Sequence, residues 1–266
     1  MIKLSGSRLR LVFAVVAFAC LMAVAASAAD VKTALDPRTD VMLRRMGDYL
    51  AQAPYFSVTA EVWQDIQSHS GQRIQAGRTI ELQVRRPDRF HAEVRSMHRN
   101  RGLYYDGKSI ILLDRVNNFY GTITAPASMD EALDIASERF GVTIPLEDFI
   151  VSDSYQNAIR ELTSGTDLGP VTVLGVPCEH LVFSQGVIDW QLWIEEGAMP
   201  VPRKVVITYK DEPNSPEYTA ILSHWDFQTR LPDFLFNCEL PTKAVKIEVA
   251  EIRNASESCN VEGKLP

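Results

Sequence analysis

The side chains that could do chemistry are few and scattered. Five histidines occur, His69, His91, His98, His180 and His224, and no two stand at i and i+4 of a helical stretch, the spacing that would aim a pair at one metal. His91 and His98 lie among Arg89, Arg95, Arg99 and Arg101, whose charge opposes a bound cation. Cys178-Glu179-His180 puts a thiol, a carboxylate and an imidazole side by side. A cysteine nucleophile needs its base within hydrogen-bond reach. Residues i and i+2 of a strand share a face but stand roughly 6–7 Å apart. His180 therefore reads as a buried strand histidine bonded to a neighbour. Asp189, beside Trp190, reads as facing outward or pairing with Arg203 or Lys204. Gly-x-Ser-x-Gly, His-Glu-x-x-His and phosphate-cradling glycine loops are absent from the sequence. No catalytic residue, metal ligand or cofactor is assigned, and the expectation is a protein that is not an enzyme.

The elements that would position a site follow from periodicity. Asp36-Pro37 and Asp40 open a helix over about 39–53, with Leu43, Met46, Leu50 and Ala53 on one face and Pro54 ending it. The period then changes to two: Phe56, Val58, Ala60 and Val62 alternate with polar residues, and so do Ile80, Leu82 and Val84, then Phe90, Ala92 and Val94. Asp106-Gly107 favours a tight two-residue turn, and the apolar run Ile110 to Leu113 after it predicts burial on both faces. Asn117-Asn118 turns into Phe119 to Thr124. A helical pattern interrupts here. Ser128 and Glu131 form a capping box, and Met129, Leu133 and Phe140 share the apolar face. A second short helix starts near Ser152 or Asp153 and stops at Gly165. Strands resume at about 170–183, 187–195, 203–210, 217–227, 234–238 and 244–252. The total is about 11 strands, and a sheet that large must curl or close.

The start of the chain reads as an export leader. Lys3, Arg8 and Arg10 precede an apolar stretch from Leu11 to Val24, and Ala26-Ser27-Ala28 offers a small-x-small cleavage site. The apolar core runs about 14 residues, short of the ~20 a spanning helix needs. The expectation is cleavage after Ala28, a periplasmic location and no stable membrane insertion. Lipid attachment at Cys20 is the alternative, although Phe18 stands where a small residue is preferred. Cleavage leaves 24 basic against 34 acidic side chains, a charge of −10, which argues against nucleic acid as a partner. It also leaves Cys178, Cys238 and Cys259, enough for one internal disulfide. The pair expected is Cys238–Cys259, whose loop of about 20 residues would stabilise the domain by roughly 3 kcal/mol in the chain-entropy model.

Two surface readings stay open at this point. Trp190, Trp193, Trp225, Phe227, Phe234 and Phe236 could line a cavity or form ordinary core, which alternation alone does not separate. The basic run of Arg85, Arg86 and Arg89, with Arg95, Arg99 and Arg101, reads as a charged strand edge that discourages aggregation, or else as a contact for an anionic headgroup or partner.

Several stretches carry a family resemblance: Tyr105-Asp106-Gly107-Lys108 with its following strand, Cys178-Glu179-His180-Leu181, Asp189-Trp190-Gln191-Leu192-Trp193-Ile194, Pro200 to Thr208, and Ala244 to Val249. Together they resemble a family of predicted periplasmic proteins of unknown function within the LolA/LolB-like lipoprotein-carrier superfamily. The resemblance implies a mainly β, incomplete antiparallel barrel wrapped around an N-terminal helix and two short middle helices. It spans residues 36–252 as one domain, with a polar tail over 253–266. It also implies a lipid or lipoprotein acyl chain as partner, held on the concave face. No ligand-gripping residue of the carriers matches a position here. The expected cavity residues are Phe56, Val58, Leu82 and Val84, with Trp190, Leu192 and Ile194, under Met129, Leu133 and Phe140. The alternative is an interaction or scaffold protein with a packed interior.

Overall fold

The computed structural model describes residues 34–252 except residue 69. The leader, Cys20, Cys259 and the tail over 253–266 therefore lie outside the described residues.

Helix α1 spans Pro37–Gln52. The Asp36 carboxylate caps it by accepting from the Arg38 N–H at 2.7 Å, and Pro37 occupies the first turn, where its missing N–H costs nothing. Strands β2 (Tyr55–Gln67) and β3 (Arg73–Arg85) form a long hairpin, in register from Tyr55 opposite Arg85 to Gln67 opposite Arg73. The meander continues through β4 (Arg89–Ser96), β5 (Arg99–Tyr105), β6 (Ser109–Asp114) and β7 (Phe119–Thr124). Asp106-Gly107 does turn the chain, in a three-residue connection. Gly107 sits at φ +81° and the Asp106 carboxylate accepts from the Lys108 and Ser109 N–H groups.

Next come α2 (Met129–Asp134), a π turn over Ile135–Arg139, a 3-10 turn at Glu147–Phe149 and α3 (Ser154–Ile159). Ser128 caps α2 as expected, accepting from the Glu131 N–H. A second meander follows: β8 (Ser164–Val173), β9 (Val176–Gln185), β10 (Ile188–Glu195), β11 (Pro202–Tyr209) and β12 (Glu217–Asp226). β12 pairs with β2, with Ala220 opposite Val62, and this seam joins the two meanders into one open sheet. Two-residue strands finish its edges: β1 (Ala34–Leu35) beside β8, and β13 (Val245–Lys246) beside β7, both parallel.

The helices lie on one face of the sheet. Leu43, Met46 and Leu50 of α1 and Ala132 and Leu133 of α2 are buried in one cluster with Phe56, Val58, Leu82, Val84 and Phe90. Burying each large side chain of this set contributes roughly 1.5–3 kcal/mol, so this face is the core. The opposite face is crossed by the segment after β12. There Phe236 is buried beneath the Arg85 guanidinium, 5.0 Å from its ring centre, and Arg85 donates to the Leu231 carbonyl at 2.9 Å. Ile110 and Leu113, on opposite faces of β6, are both fully buried, as the apolar run predicted.

Four sequence expectations are corrected. The stretch 170–183 is not one strand, because Leu174-Gly175 at φ 48° and 81° folds it into the β8–β9 hairpin. Gly165 does not stop a helix. It lies in β8, where an added Cβ would stand 2.4 Å from Leu35 Cδ1 and 2.9 Å from Phe183 Cδ1. Residues 234–238 are not a strand but follow a 3-10 turn, Asp233–Phe236. Of 244–252, two residues join the ladder.

Candidate functional site

β10 presents Trp190, Leu192 and Ile194 to the helices, and the pairing of Trp190 with Ile207 and Leu192 with Val205 extends that surface onto β11. Facing it are Leu43 and Met46 of α1, Phe149 of the 3-10 turn and Ala158 of α3. Between them is a cleft of about 280 Å³ with a mainly apolar lining. Of its polar lining residues Ser154 is buried, and Asp148, Asn157, Arg160, Glu161 and Gln185 are exposed or half-buried and form its rim. The Trp190 indole N–H donates to Gln185 Oε1 at 3.2 Å, and Gln185 Nε2 donates to Glu161 at 3.2 Å. The indole also stacks on Phe183 with centroids 3.9 Å apart, so a half-buried tryptophan is held flat as part of the cleft floor. Asn157 Nδ2 donates to Asp148 Oδ1 at 3.2 Å, and the crowded surroundings raise the Asp148 carboxyl above its ordinary range.

A larger hollow of about 350 Å³ lies at the other end of β10, between Arg38, Met42 and Arg45 of α1 and Glu179, Ile194 and Glu196. Its lining is mostly polar and its charges largely satisfy one another. Arg38 bridges Asp167 at 3.0 Å and Glu179, and Arg45 donates to the Gly197 carbonyl. The smaller cleft is the better candidate for an apolar ligand because its walls are apolar.

The expected cavity residues divide. Trp190 and Leu192 line the apolar cleft, whereas Ile194 lines the polar hollow. Phe56, Val58, Leu82 and Val84 are sealed beneath α1 and a group of aromatic rings, and Met129 and Leu133 are sealed under α2. Phe140 is half-buried at the edge of the same core. Leu43, Met46, Phe149, Ala158, Val205 and Ile207 also line this cleft and were not among the expected cavity residues. Alternation along β11 could have placed Val205 and Ile207, but nothing periodic marks Phe149 in its irregular segment.

The aromatic set also divides. Trp225 and Phe227 join the core, tilted against Phe56, while Trp193 lies on the other face and Phe234 is exposed. The basic run is not a sheet edge, because β3, β4 and β5 are interior strands. Its arginines are mostly engaged: Arg85 with Asp233, Arg95 with Glu81, Arg101 with Asp114, and Arg86 with the Ile150 carbonyl at 2.7 Å.

The tempting chemical groups are spoken for. His180 bonds Gln191 at 3.0 Å and stacks on Trp193 at 4.1 Å, half-buried. The Cys178 thiol faces the Val176 carbonyl, and burial pushes its pKa up. Asp189 pairs with Lys210 at 2.7 Å and Ser184 at 2.6 Å, not with Arg203 or Lys204, because the register sets Asp189 opposite Thr208 and Lys204 opposite Trp193, at the other end of the ladder. Among the described residues Cys178 and Cys238 form no disulfide, and the expected Cys238–Cys259 bond involves a residue outside those described. Among the described residues no three His, Cys, Asp or Glu side chains group as metal ligands, and no helix is long and apolar enough to cross a membrane.

One polar cluster went unread in the sequence. Glu93, almost fully buried on the outer face of β4, accepts from Arg115 at 2.6 and 2.7 Å and from the Tyr104 hydroxyl at 2.8 Å, with His91 Nε2 2.9 Å away. His91 stacks on Tyr104 at 4.2 Å. Burial alone would raise the Glu93 carboxyl, but these bonds outweigh it and bring it down to about 2. It is an ionic node away from both hollows.

Residues 39–250 match the model of a family described as predicted periplasmic protein (DUF2092). The chain belongs to that family. No curated protein matches this DUF2092 chain in sequence. Among solved structures it is similar to Mycobacterium tuberculosis lipoprotein LppX, at 12% identity and a TM-score of 0.47, over 74% of this chain and 100% of that one. An uncharacterised conserved protein from Thermus thermophilus shares 12% identity at a TM-score of 0.46, over 79% and 99%. A LolA superfamily protein from Nitrosomonas europaea shares 9% at 0.39, over 75% and 97%.

Proposed function

We propose that this DUF2092 protein is a non-enzymatic periplasmic binding protein that holds an acyl chain or another apolar ligand in the cleft between β10–β11 and α1–α3. The observation that carries this reading is the apolar wall pair of Trp190, Leu192, Val205 and Ile207 against Leu43, Met46, Phe149 and Ala158, with every polar lining residue but the buried Ser154 exposed or half-buried. An apolar chain entering there gains about 25 cal/mol per Å² of surface removed from water, without a charged anchor. At about 280 Å³ the cleft is at the small end of ligand sites, which run from roughly 300 to 1,000 Å³. A larger guest therefore requires the segment 147–162 to shift outward.

The test is titration of an uncharged fluorescent alkyl probe into delipidated protein. Saturable binding is expected, and Ala158→Trp, which fills the cleft from its half-buried helical wall, should abolish it while the circular dichroism spectrum stays unchanged. Leu192→Asp should abolish it too. The scaffold reading has one observation in its favour: the concave side over β2, β3 and β4 is completely filled. Failure of the wild type to bind the probe saturably would leave that reading standing.

A further inference from the structure

Taking the apolar cleft as the ligand site, we propose that its ligand carries a cationic, hydrogen-bond-donating head, in the simplest case a primary ammonium on an alkyl chain, rather than a carboxylate. The argument starts from the rim. Asp148 lines the cleft and remains open to solvent, so a ligand head can reach it. Among the described residues its hydrogen bond comes from Asn157 to Oδ1, which leaves Oδ2 free to accept, and it makes no ion pair. Glu161 stands on the same rim with one carboxylate oxygen on Gln185. Against these two acids the lining of the cleft carries, among the described residues, a single cation, Arg160.

The surroundings sharpen the preference. The charge on Asp148 reaches Tyr209 on β11 and Tyr218 on β12, whose phenols are held up first by burial and in smaller part by Asp148. A carboxylate head arriving here would add a negative charge beside those of Asp148 and Glu161. An ammonium would neutralise the Asp148 charge and donate to the free oxygen. The chain of such a ligand runs down the apolar floor over Trp190 and Leu192, leaving the head beside Asp148.

The experiment is calorimetric titration of delipidated protein with dodecylammonium, dodecanol and dodecanoate, at one pH and salt concentration and below the concentrations at which they form micelles. Dodecylammonium should bind on the order of tenfold more tightly than dodecanoate, with the alcohol between them. Asp148→Asn should bring the amine to the level of the alcohol. Glu239→Gln, which removes the same charge from the exposed segment crossing the outer face, should leave the order intact and so separates a local contact from the field of an acidic protein. Dodecanoate binding as tightly as the amine, or an amine preference unchanged in Asp148→Asn, would overturn the proposal while the apolar cleft stands. Absence of saturable binding by all three, the alcohol included, would overturn the cleft reading and this one with it.

Discussion

Single residues decide how this sheet holds together on its outer face. Glu93 shows how: one carboxylate collects His91 from its own strand, Tyr104 from β5 and Arg115 from the turn after β6, which only the folded register makes neighbours. In sequence His91 looked like a histidine among arginines, because spacing along the chain does not say which strand lies beside which. The node has a pH signature. Its carboxyl titrates at about 2 in the fold against an ordinary 4.5. A depressed folded pKa stabilises above the unfolded value and loses that contribution as pH falls toward the folded one. Urea unfolding from neutral pH downward should therefore show wild-type stability declining between about pH 4.5 and 2. Glu93→Gln should cost roughly 3 kcal/mol at neutral pH and lack that part of the decline. An unchanged acid profile in the variant would show that Glu93 is not the group responsible. Arg86 carries the same lesson. It belongs to a basic run in sequence, yet it donates to the carbonyls of Leu50, Ile150 and Val151 and ties the end of α1 to the wall of the cleft.

At the scale of elements, long alternating strands and the first helix were legible because a half-buried surface forces their period. What was not legible was the partner. The alternation of 244–252 is real, but two of its residues find a ladder, and Phe234 and Phe236 alternate inside a 3-10 turn because one is buried and the other is exposed. The cleft was half legible for the same reason: Trp190 and Leu192 came from a clean strand, whereas Phe149 and Asp148 belong to a turn without a period. Mobility should follow the same division. The 3-10 turn and α3 are three and six residues long, below the roughly 12–15 at which a helix begins to stand alone, so they depend on packing. Hydrogen exchange should find amides over 147–162 opening faster than those of β2 and β3. Equal protection would argue against a wall that moves to admit a ligand. Gly47 fixes where that wall rests, since a Cβ there would meet Tyr155 Cβ at 2.9 Å and its backbone N at 3.0 Å. Gly47→Leu should push α3 off α1, lower stability by about 1–3 kcal/mol and accelerate exchange over 154–159, with the strands changed only as far as global stability falls.

The whole domain is two meanders joined at β12–β2, which leaves an edge at each end of the sheet. At the β8 end, β1 covers Ser164 and Gly165, and further along the strand come a bulge between Asp167 and Pro170 and the missing N–H of Pro170. The β7 edge is guarded from far along the chain. After crossing the outer face, the chain lays Val245 and Ile247 against it, their N–H groups donating to the Asn118 and Tyr120 carbonyls at 2.9 and 2.8 Å. Val249 then fills the space that Gly121 leaves, where an added Cβ would meet its Cγ2 at 2.4 Å. The Ile252 N–H donates to the Arg139 carbonyl at 2.7 Å, and Glu251 pairs with the Arg139 guanidinium. This strap therefore does two things at once: it covers an edge and fastens the π turn after α2. A chain ending at Ala244 should show both losses. Removing the half-buried Val249 and these backbone bonds should lower the urea midpoint by the equivalent of about 2–4 kcal/mol. Uncovering β7 should also make the protein self-associate at concentrations where the full chain stays monodisperse in the ultracentrifuge. Gly121→Ala tests the same fit without truncation, because a methyl at that position must displace Val249. It should destabilise the full chain but leave the shortened one, whose Val249 is gone, nearly unchanged. Equal destabilisation of both would mean that the strap does not rest on Gly121 in solution.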